Sequence, residues 1–250
     1  MKELLFINYP ELTSIEANIL SRKYDGDTTK IILDRTIFSP YDDYLFNDQG
    51  YISSLKLVDV YENNKKIVHV VKGKPVKSKV ELKLDSAIRF HNLYYNTAYH
   101  ILKFTLESLY NIKYSKLKLY NNYGQLVISD FYVDFDKSEV EDFINHLINV
   151  NIKIENLGLV KTIGNLGQVE NPGISLAHTG DIFGIHIFRY NIIANGLIIE
   201  FVTGKDFLQL NQNNIRLIQT IEKLATSDEL SSNKITKIIS AIKNNKYYKW

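Results

Sequence analysis

With 250 residues, 45% of them hydrophobic and 23% charged, the chain can bury a sizeable core as one large domain or two small ones. A net charge of +2 at pH 7 makes no demand for nucleic acid as a partner, so any RNA-binding surface has to be a local patch. The absence of cysteine excludes disulfides and thiolate–metal bonds and restricts any zinc site to histidine and carboxylate ligands.

No apolar run is long enough to cross a membrane, and the start MKELLFINYPE lacks the apolar core and cleavage site of a signal peptide. The expected location is the cytoplasm, with no membrane partner. Oligomeric state leaves no mark in the sequence.

From Lys30 to Leu84 the chain alternates in short β-branched and aromatic runs, KIILDRTIF, YISSLKLVDVY, KIVHVVKG and KVELKLD. Turn formers separate them at Ser39-Pro40, Asn47 to Gly50, Glu62 to Lys65 and Gly73 to Pro75, which predicts a small antiparallel, barrel-like domain over 1–84. The period then changes. Asp85 to Tyr110 has apolar residues at three- and four-residue spacing and predicts a long helix. Within it Asn96 and His100 are four apart and stack on one face, the geometry of a helical metal-binding or catalytic pair.

A β segment is expected over Gln125 to Asp136, then a helix capped by Ser138 with Glu141 three residues on. The last stretch has apolar spacing at Ile215, Ile218, Ile221 and Leu224, and again at Ile235, Ile238, Ile239 and Ile242. Two helices joined at Thr226 to Asn233 follow from it. The expected fold class is α+β: the β-rich domain over 1–84, helices packed on a mostly antiparallel sheet over 85–206, and a helical pair over 207–250.

Four segments, in order, resemble the alanyl-tRNA editing proteins and the editing domain of alanyl-tRNA synthetases. Asn96-Thr97-Ala98-Tyr99-His100-Ile101-Leu102 follows the pattern H-[TS]-A-x-H-L-L with asparagine for the first histidine. Asp34-Arg35-Thr36-Ile37-Phe38-Ser39-Pro40, with Asp48-Gln49-Gly50, is similar to the D-R-T-x-F-Y-P strip. There Asp42-Asp43-Tyr44 replaces a glycine run and Leu45 a glutamine. Asn171-Pro172-Gly173-Ile174-Ser175 followed by Thr179-Gly180-Asp181-Ile182 resembles C-x-x-x-H before T-G-x-I-G, with Asn171 for the cysteine and Ser175 for the histidine. Gly196 to Gly204 is similar to the strand G-x-R-I-E-F-V-x-G, with Ile198 where arginine is usual.

The resemblance implies an editing-type fold, tRNA (its acceptor end) as partner, and hydrolysis of the ester of a wrongly attached amino acid, typically serine on alanine tRNA. It also implies a zinc centre at positions 96, 100, 171 and 175. Only His100 of the four residues here is an ordinary zinc ligand, so the expectation is no metal and no other cofactor. His91 lies across the helix from His100 at about 100° per residue. His178 and His186 would be roughly 26 Å apart on a continuous strand, although a turn at Gly180-Asp181 would bring them together.

Three readings follow. One is a metal-free deacylase in which His100 activates water while Asn96, Thr97, Asn171, Ser175 and Thr179 bind substrate. Another is a noncatalytic RNA-binding or protein-interaction module, and the third a pocket for a small amino-acid-like molecule. Lys103, Lys113, Lys116 and Lys118 are candidate phosphate contacts. Asp42 and Asp43 offer a carboxylate near the pocket, but adjacent acids in a turn are more often solvated, and His69 reads as a strand position. The basic, aromatic end with Tyr247, Tyr248 and Trp250 either touches RNA or packs on the body.

Overall fold

The computed structural model describes residues 3–40, 44–112, 115–157, 160–170, 173–225, 235–237 and 239–240. The second helix expected near the C-terminus falls largely outside them.

Six strands form the predicted barrel: β1 (Ser14–Asp25), β2 (Thr28–Leu33), β3 (Gly50–Ile52), β4 (Leu55–Asn63), β5 (Lys66–Lys72) and β6 (Lys79–Leu84). They close in the order β1-β2-β5-β4-β3-β6. Alternation dictates which side chains turn inward, and Ala17, Ile31, Leu33, Ile52, Leu57, Val60, Val71, Val80 and Leu82 are all buried. β1 pairs with β6 through its first half and with β2 through its second, with a bulge between Ile19 and Ser21 where the pairing changes.

The signature helix α1 spans Ser86–Tyr110, capped by the Asp85 carboxylate, which accepts from Ala87 N and Ile88 N. Two strands follow, β7 (Ser115–Tyr120) and β8 (Tyr123–Ser129), then helix α2 (Lys137–Val150). The β segment expected to reach Asp136 stops at Ser129, where Asp130 adopts a left-handed conformation at φ 58. The cap of α2 is Asp136 and not Ser138: its carboxylate accepts from Ser138 N and Glu139 N, so the chain enters the helix earlier than the Ser–Glu spacing indicates.

A three-stranded sheet, β9 (Ile154–Leu157), β10 (Val160–Ile163) and β11 (Gly167–Glu170), precedes the final strands β12 (Ile185–Ile193) and β13 (Gly196–Thr203) and helix α3 (Gly204–Ala225). β12, β13, β8 and β7 form an antiparallel sheet in that order. One face of it, Leu117, Leu126, Ile128, Leu197, Ile199 and Phe201, is buried in one core cluster with Leu93, Tyr95, Ala98, Ile101, Leu102 and Leu106 of α1. Gly124 makes this packing possible, because a Cβ there would meet the Phe201 and Tyr95 rings at 2.6–3.0 Å. The last turns of α3 leave the core, with Ile215 and Ile218 largely exposed.

Barrel and helix are joined by a buried ion pair. The Arg89 guanidinium on α1 bonds the Asp48 carboxylate, with side chains 0% and 2% exposed. Arg89 also donates to Pro10 O at 2.8 Å and Ile37 O at 2.7 Å, and Asp48 accepts from Ser39 N at 2.7 Å. Its planar fork thus meets three separate stretches of backbone and side chain. Removing one member strands the other charge in the core, so Arg89→Met or Asp48→Asn is expected to lower unfolding free energy by about 3–5 kcal/mol. Urea unfolding monitored by circular dichroism checks this, and an unchanged midpoint in either variant would remove the pair's structural role.

Candidate functional site

Ser175 is brought against the part of α1 that carries Asn96 and Thr97. Asn96, one turn before His100, donates from Nδ2 to Ile174 O at 2.7 Å. Thr97 Oγ1 accepts from Leu176 N at 2.9 Å. These bonds carry the Gly173–Leu176 turn onto the helix, and Ser175 sits between them, donating from Oγ to Leu176 O at 3.3 Å. Asn96, His100 and Ser175 are all buried, with 2–4% of their surface exposed. Asn171 lies outside the described residues, as do Asp42, Asp43, Lys113 and the aromatic tail.

Thr179, expected at the substrate, is fully buried and spends its hydroxyl on backbone. It donates to Leu147 O at 2.8 Å and accepts from Ile152 N at 2.8 Å. Thr97 is equally buried. Both threonines therefore serve as pegs for the chain around the site. The end of α2 is held to Thr179–Ile182 in the same way: Asn151, left-handed at φ 56, accepts from Gly180 N at 3.1 Å, and a Cβ on Gly180 would run into that amide oxygen.

On the outer side of the turn, Ser175, Leu176 and Ala177 line a cleft of about 850 Å³. Its other walls are Asn8 to Leu12 from the N-terminal segment and Lys153 to Glu155, whose two charged ends pair at 2.8 Å. The N-terminal wall was not legible in the sequence, where nothing in FINYPEL signals a site.

Three other histidines are engaged elsewhere. His91 bonds Tyr120 O at 2.9 Å, and burial pushes its pKa down against the raising effects of that contact and of Asp206. His178 lies 3.6 Å from Asp181 and His186 3.0 Å from Glu141, so each imidazole faces a different carboxylate. Among the described residues no group of three or more His, Cys, Asp or Glu is placed to hold a metal ion.

One residue of the site escaped the sequence reading. Lys161 on β10 is 1% exposed, and its Nζ donates to Gly173 O at 3.1 Å. The only signal was its place in V-K-T-I, where alternation sets it on the face of the buried Ile163. Burial lowers its pKa to about 7.

An unfolded lysine keeps its proton to about pH 10.4, so between 7 and 10 the unfolded chain holds more protons and stability must rise with pH. Below 7 both states are charged and this gain is absent. The expected slope approaches ~1.4 kcal/mol per pH unit at most, and Lys161→Met should remove it. Thermal or urea unfolding of both proteins from pH 6.5 to 9.5 measures the difference, and parallel profiles would contradict the buried amine.

No protein-family model matches the chain. It is 27% identical over 237 residues to the alanyl-tRNA editing protein AlaX-L of Pyrococcus horikoshii, a match covering 82% of this chain and 58% of that protein. It is 34% identical over 113 residues to the alanine–tRNA ligase of Archaeoglobus fulgidus, and 30% identical over 104 residues to that of Methanocella arvoryzae. Those stretches cover 43% and 41% of this chain and 12% of each ligase. The chain thus spans little more than half of the first relative and a small part of the other two. The ordered signature segments and these similarities agree: over most of its length the chain is similar to an alanyl-tRNA editing protein, and over a shorter stretch to alanine–tRNA ligases.

Proposed function

We propose that the chain binds the acceptor end of tRNA and hydrolyses the ester of a wrongly attached amino acid without zinc. The observation that carries this reading is the contact of the Gly173–Leu176 turn with α1: it sets Ser175 at the cleft and beside the helix face that bears His100. The similarity to an alanyl-tRNA editing protein over most of the chain supports the substrate class.

The donor set does not suit zinc. The Asn96 amide is committed to Ile174 O, the Ser175 hydroxyl bonds Leu176 O, and a neutral amide and hydroxyl are poor ligands beside one imidazole. In this reading His100, the one imidazole at the four signature positions, takes the proton of the attacking water. Ser175 orients the substrate, with Asn171 as a further contact, while Asn96, Thr97 and Thr179 hold the walls. The exposed Lys116 and Lys118 of β7, with Lys103, supply phosphate contacts.

A second reading has its own observation. Asn96, His100 and Ser175 are nearly sealed from solvent, which favours a noncatalytic module that binds the acceptor end and leaves the ester intact.

A panel of mischarged tRNAs, with serine on alanine tRNA first, separates the two. The deacylase reading expects hydrolysis that falls about 10²–10⁴-fold in His100→Ala with tRNA affinity kept, and less in Ser175→Ala. Hydrolysis indifferent to His100→Ala would reject the assigned base, and tRNA binding without hydrolysis would leave the noncatalytic module. Elemental analysis of protein purified without chelator is expected to find no stoichiometric zinc, and one tightly held zinc per chain lost in His100→Ala would overturn the metal-free assignment.

A further inference from the structure

The turn that carries Ser175 holds two backbone donors that meet no acceptor among the described residues. Gly173 adopts a left-handed conformation at φ 63, and the two carbonyls that follow are drawn inward. Gly173 O is taken by Lys161 Nζ at 3.1 Å and Ile174 O by Asn96 Nδ2 at 2.7 Å. In a trans peptide the C=O and N–H groups point in opposite directions, and the chain has no cis peptide among the described residues. The N–H groups of Ile174 and Ser175 belong to those same two peptide planes. Both are therefore turned away from Lys161 and Asn96.

Neither N–H meets an acceptor among the described residues, although Ile174 and Ser175 are only 3% and 2% exposed. The next amide, Leu176 N–H, is satisfied by Thr97. Buried amides are almost always paired, and two successive exceptions beside a cleft call for an acceptor that the protein does not itself supply. Successive free backbone N–H groups on one turn suit a single negatively charged oxygen.

Resting on the deacylase reading, we infer that the Ile174 and Ser175 amides form an oxyanion site. They take the ester carbonyl oxygen of an aminoacyl group lying in the cleft, and Lys161 is the positioning residue that aims them by holding Gly173 O. In the step they serve, water adds to the ester carbon and gives a proton to His100. The carbonyl π pair moves onto its oxygen, which the two amides hold. Collapse of the tetrahedral anion restores the C=O bond and expels the ribose oxygen, which leaves with the proton from His100. Donors fixed before the reaction need no reorganisation, and loss of one such donor typically costs about 10²–10³-fold in rate.

The test uses the full chain, ¹⁵N-labelled, and two soluble probes: a phosphonate monoester analogue of a seryl ester, tetrahedral and anionic, and serinamide, planar and neutral. The phosphonate is expected to move the Ile174 and Ser175 amide protons downfield, and serinamide to leave them in place. Lys161→Met should weaken phosphonate binding about tenfold or more, and Lys161→Gln, which keeps an N–H for Gly173 O, should recover most of that loss. If Lys161→Met does not fold, the wild-type titration and Lys161→Gln decide. A phosphonate that fails to bind, or binds without moving these two amides, overturns the oxyanion site. Deacylation of mischarged tRNA without these shifts would sink the site and spare the deacylase reading. The shifts without deacylation would keep an anion site and sink that reading.

Discussion

The ion pair between Arg89 and Asp48 is the constraint on which the rest of the molecule depends. A guanidinium and a carboxylate taken wholly out of water are tolerable only when every donor and acceptor is met, and here Pro10 O, Ile37 O and Ser39 N complete the set. Because those groups come from the N-terminal segment, the barrel and α1, the pair sets all three relative to one another. One end of the cleft wall, at Pro10, is thereby tied to the helix that carries Asn96 and His100. An arginine suits this place better than a lysine, whose single ammonium could not span three partners in a plane.

A second layer of organisation lies in the turn from Gly173 to Leu176. Three side chains from two elements hold three backbone groups of it: Lys161, Asn96 and Thr97. In Asn96 the amide does directly, by one short hydrogen bond, what a pair of ligands on helix and turn would do through a shared ion. The cost of this design is concentrated at Lys161, whose amine is held near neutrality by burial and has a carbonyl for company. Charging an amine so buried is costly because one carbonyl is a poor replacement for water, and that is what lowers its proton affinity.

Two features pull against each other at this site. Sealing a base and its neighbours from water raises the strength of every contact among them, but it also closes the route by which an ester would arrive. The cleft reaches Ser175 and stops short of including His100 among its lining. Since Lys161, Asn96 and Thr97 hold the Gly173 turn, the deacylase reading requires the N-terminal wall to be the side that opens.

What the sequence determined by itself is whatever depends on local periodicity and spacing. Alternation placed the barrel strands between Lys30 and Leu84 but not β1, the three- and four-residue repeat placed α1 and put Asn96 and His100 one turn apart, and the ordered signatures pointed to the alanyl-tRNA editing proteins that the chain resembles. Local rules also misled, as when the Ser138–Glu141 spacing drew the helix start past Asp136, because a cap is decided by which carboxylate reaches the free amides. Only the tertiary structure decided the partners. Thr97 and Thr179 read as substrate contacts until packing turned their hydroxyls to backbone. Lys161 read as an ordinary strand lysine until the sheet buried it under Gly173 O, and the N-terminal segment became a cleft wall through Arg89. Burial and hydrogen bonding between residues distant in the chain create those roles, and spacing along one chain carries no record of them.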